Sequence, residues 1–212
     1  MFTCAAFNWV ASPSVTELEV GVLDQLARAF NLPTAFLSTS PNGGGGVIQG
    51  SASEAIITTM VAARDRALLK AREVGGEEEA DRLRSRLVTI CSDQTHSSTQ
   101  KAAMIVGVKY HIIKSQPGTW RLTKELFQKG VEECIAKNLV PFYATVTIGT
   151  TGTCAVDDVN GIAELNNNLG NEIWLVFLFF FYFFFYFFFI LFCFVLFFVK
   201  IYETLTIVKI AL

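Results

Sequence analysis

A chain of 212 residues with 17 Lys and Arg against 19 Asp and Glu carries a formal charge of −2, and no basic face or stripe is evident that would suit nucleic acid. Its five Cys are scattered, with no C-x-x-C pair and an odd total, which argues against a disulfide framework or a zinc site and fits a reducing cytosol. Length allows one domain or two, yet composition is uneven: residues 1 to about 172 read as mixed-charge globular sequence, while fourteen of the twenty Phe follow Trp174.

Met1-Phe2-Thr3-Cys4 lacks the basic segment of a secretory signal, so a cytoplasmic location is expected for the globular part. Ser12-Pro13 followed by Thr16-Glu17-Leu18-Glu19 reads as a helix start with Pro13 at the first helical position. Leu18, Val22, Leu26 and Phe30 then recur every four residues and predict one apolar face, and Asn31-Leu32-Pro33 ends the helix. A loop from Thr39 to Gly46 precedes a second helix predicted from about Ser53 to Arg72. Gly75-Gly76-Glu77-Glu78-Glu79 reads as a solvated turn before a charged segment that ends at Arg86.

Three strand-like runs follow: Leu87–Cys91, Val108–Ile113 and Pro141–Ile148, with helical stretches near Ser98–Val106 and Thr123–Asn138 between them. Apolar strands alternating with helices predict βαβ units and a parallel sheet, hence an α/β fold.

Ligands in such sheets sit beyond the carboxyl ends of the strands. Gly43-Gly44-Gly45-Gly46 leads through Val47-Ile48-Gln49-Gly50 to Ser51-Ala52-Ser53-Glu54, where a helix begins. Glycines let the backbone approach a ligand closely, and the unpaired N–H groups and positive dipole end of a helix start suit a phosphate. Ser51 with Glu54 three residues on is equally a capping box, which any helix can carry. Ser92-Asp93-Gln94-Thr95-His96-Ser97-Ser98 and Gly149-Thr150-Thr151-Gly152-Thr153-Cys154 follow two of the strands and converge on the same edge. His96 is thereby a candidate site residue, whereas His111 lies within a strand and reads as structural. Asp157-Asp158 offers either a metal pair or a helix cap, and without a clustered third ligand the cap is the better reading. No Ser/His/Asp order or His-pair spacing supports a hydrolase or a metalloenzyme.

Phe7-Asn8-Trp9 with Ser12-Pro13 and Thr16-Glu17-Leu18-Glu19, the glycine segment through Ala55, Ser92–Ser98 and Gly149-Thr150-Thr151 together resemble one family. It is the pyridoxal-phosphate-dependent amino-acid decarboxylases of the aromatic-L-amino-acid decarboxylase group (group II), and the resemblance runs from about residue 7 to residue 175. It implies part of the large domain of the type I fold of pyridoxal-phosphate enzymes, with a mostly parallel sheet, in a homodimer. It also implies pyridoxal 5′-phosphate as cofactor and decarboxylation of an aromatic L-amino acid to an amine. By the same resemblance, Ala52 and Ser53 would hold the cofactor phosphate and His96 would stack on its ring. Thr151 would contact it from the next loop, and Phe7 would line the substrate pocket of the partner subunit.

Two expected groups are missing from this sequence. The family carries a His-Val-Asp-Ala segment after an Ile-Trp-Leu strand, where the Asp meets the pyridine nitrogen, and a later Asn-Pro-His-Lys whose Lys forms the Schiff base. Here Ile173-Trp174-Leu175 continues as Val176-Phe177-Leu178-Phe179, and neither motif occurs downstream. The chain so divides into a partial decarboxylase domain over 1–175, a Phe-rich segment over 176–199 and a short tail over 200–212. The uncharged segment is long enough to cross a bilayer as a helix, which would make a tail-anchored membrane protein with a non-catalytic binding domain. It also reads as the translation of a retained T-rich intron, a reading favoured because the break falls just before the expected Asp. On either reading the chain is expected to be inactive as a decarboxylase.

Overall fold

The computed structural model describes residues 8–41, 43–170 and 173–178 with their side chains, and the backbone of Phe179, 196–198 and 206–210. Five helices and seven strands alternate through most of it. They are α1 (Pro13–Ala29), β1 (Gly46–Ile48), α2 (Ala52–Arg84), β2 (Leu87–Ser92), α3 (Ser98–Val106), β3 (Lys109–Ile113), α4 (Lys124–Ala136), β4 (Val140–Ile148), α5 (Val159–Asn168), β5 (Trp174–Phe179), β6 (Leu196–Phe198) and β7 (Thr206–Ile210). The strands form one sheet in the order β1-β6-β7-β5-β4-β2-β3. β2 pairs in parallel with β3 and β4, β4 with β5, and β5 with β7, while the β1–β6 and β6–β7 pairs are antiparallel. The predicted α/β class with a mostly parallel sheet is what the chain forms.

Two cores sandwich the sheet, as parallel strands buried on both faces require. On one face Ile56, Met60 and Ala63 of α2 and Ala102, Ala103 and Val106 of α3 pack on Tyr143, Trp174, Val176 and Leu178. On the other, Phe127 and Val131 of α4 and Ile162 and Leu165 of α5 pack on Val88, Ile90, Ala144, Val146, Leu175 and Phe177. Residues 174 to 178 alternate between these faces, as a pleated strand dictates. Hence β5 runs in register with β4 across the expected boundary at residue 175 and carries the sheet on to Phe179.

The helices depart from the sequence reading in two places. α1 forms where predicted, but of its expected stripe Leu18, Val22 and Phe30 face outward, at 65, 45 and 42% exposure, and Leu26 alone packs, half-buried, against the core. Leu23 and Ala27 are buried instead, against Phe36. Polar tethers set this rotation: Asp24 accepts hydrogen bonds from the Ser38 N–H (2.8 Å) and hydroxyl (2.7 Å), and Glu19 accepts from the Ile48 N–H (2.7 Å). These bonds fix the opposite side of the helix against the chain that follows. The second departure is partial: the exposed chain does break helical geometry at Gly75-Gly76, as a solvated turn requires, but the helix resumes directly after it. α2 continues to Arg84 through a kink at Gly76, whose φ of 71° suits glycine, and the Arg72–Glu77 pair at 2.9 Å bridges it.

Candidate functional site

α2 ends just before β2 begins, so the helix runs back along the sheet and its first turn lies toward the carboxyl ends of the strands. One buried hydrogen bond fixes the height, Thr59 Oγ1 to the Tyr143 hydroxyl at 2.8 Å. From that contact Ala52 is seven helical residues up, about 10 Å. Thr147 is four strand residues up, about 13 Å. The helix start and the end of β4 therefore stand level, and the loops after β2 and β4 leave from the same edge.

The glycine segment reaches the helix by passing under the turn at Thr34–Phe36. A Cβ on Gly44 would overlap the carbonyl oxygens of Ala35 and Leu37, so the bare backbone at this point serves the chain's own packing. The Ser51 side chain accepts from the Glu54 N–H at 3.2 Å, which realises half of the capping box. Ala52 and Ser53 are the first two helical residues, half-buried and exposed respectively. They stand in the first turn, ahead of the intrahelical acceptors, at the positive end of a helix that keeps helical geometry as far as Gly76. The capping and phosphate readings are thus compatible: Ser51 caps, and Ser53 stays exposed in the first turn.

In the loop after β2, Ser92 and Thr95 are buried and spend their hydroxyls on the loop itself. The Ser92 N–H donates to Thr95 Oγ1 (3.0 Å), the two hydroxyls lie 3.1 Å apart, and the Gln94 N–H donates to Ser92 Oγ (3.2 Å). This knot presents His96 to solvent at the start of α3. The ring is oriented by Ser98, whose N–H donates to Nδ1 (3.2 Å) and whose hydroxyl lies 2.8 Å from the same atom. An accepting Nδ1 leaves Nε2 to carry the proton of the neutral ring. His111 is elsewhere, on the edge strand β3, with Nε2 3.4 Å from Glu133, and its structural reading holds.

The loop after β4 divides two adjacent threonines between two roles. Thr150 is buried; its hydroxyl accepts from the Ala155 N–H (3.0 Å) and lies 2.7 Å from the Thr153 hydroxyl, while its carbonyl accepts from the Cys154 N–H (2.8 Å). Thr151, at the tip, is exposed. Asp157 closes the loop from below: Oδ1 accepts from the Leu122 N–H and Oδ2 from the Thr147 N–H, both at 2.8 Å. Burial raises the Asp157 pKa, against the pull of those two bonds and of Arg121. Asp158 caps α5 through the Gly161 N–H at 3.1 Å. Both carboxylates therefore serve the backbone, and among the described residues no three His, Cys, Asp or Glu side chains gather as a metal site. Cys91, at the end of β2, is an inert thiol whose pKa burial pushes up to about 12.

Ala52, Ser53, His96 and Thr151 consequently occupy one edge of the sheet, while Phe7 lies outside the described residues. A row of hydroxyls beneath this edge was not singled out from the sequence. Thr145 accepts from the Thr99 hydroxyl at 3.2 Å, and Thr147 Oγ1 is buried with no hydrogen-bond partner. The signal was present as Thr145-Val146-Thr147, a polar period of two inside an otherwise apolar strand. Thr147 is in register with Leu178, which is 1% exposed and stands where the resemblance expects an Asp. A helix start beside a hydroxyl-rich loop and a loop histidine is a donor set that suits pyridoxal phosphate, whereas Leu178 offers only hydrocarbon at its position.

Comparison with known proteins bears on the family and the fold. The pyridoxal-dependent decarboxylase conserved domain matches residues 1–176. The aromatic-L-amino-acid decarboxylase of Drosophila melanogaster is 38% identical over 172 residues, covering 81% of this chain and 33% of that protein. The 3,4-dihydroxyphenylacetaldehyde synthase of the same species is 37% identical over 174 residues, covering 82% and 34%. The crystal structure of Oryza sativa TDC with PLP and tryptamine superposes with a TM-score of 0.70 at 35% identity, over 82% of this chain and 37% of that one. The chain spans about a third of the length of the curated relatives it matches. It belongs to the pyridoxal-dependent decarboxylase family.

Proposed function

We propose that this chain forms the phosphate- and ring-holding part of a pyridoxal 5′-phosphate-dependent carboxy-lyase that acts on aromatic L-amino acids. The observation that carries the reading is the convergence of the α2 start, His96 and Thr151 on one sheet edge. The helix start at Ala52 and Ser53 would bind the phosphate, aided by the helix dipole. His96, held by Ser98, would cover one face of the ring, and Thr151 would close over it from the adjacent loop. When bound, the cofactor supplies an electron sink for the pair left on the substrate's α-carbon as CO2 departs.

The outward apolar stripe of α1 supports a subunit partner, and Phe7 would reach that partner's pocket. The 212 residues hold no Asn-Pro-His-Lys, and Leu178 replaces the acidic group, so this chain by itself has no decarboxylase turnover. Among the described residues no helix is long and apolar enough to cross a membrane. Burial of Val176–Leu178 beside β4 favours reading these positions as sheet over a membrane-anchored alternative, and most of 176–199 lies outside the described residues.

The direct test is equilibrium binding of pyridoxine 5′-phosphate, which has no aldehyde to react with surface lysines, set against pyridoxine. The phosphorylated form binds at least tenfold more tightly, and Ser53→Glu, which sets a like charge at the helix start, abolishes the difference. Equal binding of the two forms, or indifference to Ser53→Glu, overturns the reading. Incubation with aromatic L-amino acids and pyridoxal 5′-phosphate releases no CO2; measurable release refutes the expected inactivity.

A further inference from the structure

The least explained group at the site is the Thr147 hydroxyl. Its neighbours on the same strand face are each satisfied: Tyr143 reaches Thr59, and Thr145 reaches Thr99. Thr147, one step nearer the edge, is fully buried with no partner. Buried hydroxyls are almost always paired, and an exception calls for a cause.

The cause lies on the adjacent strand. Thr147 pairs in register with Leu178, and side-by-side residues of parallel strands point to the same face. Leu178 joins the core on that face together with Trp174 and Val176. The strands are about 4.8 Å apart, a gap that two short side chains span with one hydrogen bond. The Asp157 carboxylate, on the far side of the Thr147 backbone, holds this residue by its N–H at 2.8 Å, so its backbone position is already set.

We propose that positions 147 and 178 form a hydrogen-bonding pair whose second member is an acidic side chain, with Thr147 the positioning residue that aims it and Leu178 the replacement that leaves the hydroxyl unpaired. This deepens the cofactor-site reading and rests on it for the purpose of the pair, since an acid aimed from 178 meets whatever lies at that edge. Whether an acid at 178 takes up the Thr147 hydroxyl can be tested on the chain without any ligand.

The test is a double-mutant cycle on the full chain without ligand, followed by urea unfolding. With Leu178 present, Thr147→Val removes only an unpaired hydroxyl and leaves stability unchanged or raised. With Leu178→Asp or Leu178→Asn, the same Thr147→Val lowers the folding equilibrium constant about tenfold, and Thr147→Ser restores it. The asparagine variant asks for the same bond without burying a charge, so the cycle stays decisive if the aspartate variant does not fold. A Thr147→Val effect equal in both backgrounds, or no rescue by serine, overturns the pairing. In the Leu178→Asp background, the pH at which bound pyridoxal 5′-phosphate changes its absorbance moves upward, and Thr147→Val moves it part of the way back. If the cycle succeeds and that midpoint ignores Thr147, the positioning role falls while the pair stands. If phosphate-dependent binding fails and the cycle succeeds, the cofactor reading falls instead.

Discussion

Asp157→Asn isolates what holds the candidate site to the sheet. The native carboxylate is 1% exposed and accepts two backbone hydrogen bonds at 2.8 Å, from Leu122 ahead of α4 and from Thr147 near the end of β4. An amide has one acceptor oxygen, and its NH2 can only face the second N–H as donor against donor. A hydrogen bond to a charged acceptor is worth about 1.5–3 kcal/mol, and a buried donor left without a partner costs about 1–3 kcal/mol. Allowing for partial relaxation of the loop, the variant should lose about 3 kcal/mol by urea unfolding. Native-state hydrogen exchange should show the Leu122 or Thr147 amide opening ahead of the other β4 amides. Asp158→Asn is the internal control: Asp158 caps α5 with one bond to Gly161, and Asn caps a helix about as well as Asp, so its cost stays below about 0.5 kcal/mol. Equal losses at the two positions, or protected Leu122 and Thr147 amides in Asp157→Asn, would show that the carboxylate is not the tie described.

Three further outcomes are expected. Burial raises the folded-state pKa of Asp157, so the folded chain holds that proton more tightly than the unfolded one. The resulting stability is present below the unfolded value and is lost as pH rises through the folded one; the wild-type advantage over Asp157→Asn therefore narrows as pH rises out of the acid range, and a widening advantage contradicts burial as the dominant cause. Under native conditions, a thiol alkylating reagent followed by mass spectrometry should modify the exposed Cys154 and spare Cys91 and Cys134, whose pKa values burial raises; rapid labelling of Cys91 would refute its burial. Gly130→Ala should cost about 1–3 kcal/mol, since its Cβ would overlap Ile113 Cδ1 where α4 crosses β3, and Ile113→Val should recover part of the loss.

Legibility in the sequence followed the physics of each element. The predicted strands and the helices over Ser98–Val106 and Thr123–Asn138 were readable because apolar runs and caps are local signals, and their boundaries shift by no more than two residues. The orientation of α1 was not readable, because Asp24 and Glu19 bond to residues 14 and 29 positions away, which no periodicity encodes. The exposed break at Gly75-Gly76 was readable, while the helix resuming after it was not, because one glycine at positive φ bends a helix as readily as it ends one. At the site, the loop residues could be listed from sequence, yet Thr150 and Thr151 are indistinguishable there. Only the fold separates the threonine that knots the loop from the one that faces outward.

The continuation of β5 carries a general consequence. A parallel strand covered on both sides asks its residues only to be apolar and β-forming, and Val176, Phe177 and Leu178 meet that demand in full register with β4. Shape at this place is specified by a broad class of sequences, among which the acid expected from the resemblance would be one residue. An interior strand can therefore exchange its text for another hydrophobic text and keep its seat in the sheet, so the architecture by itself does not report which side chains stand there.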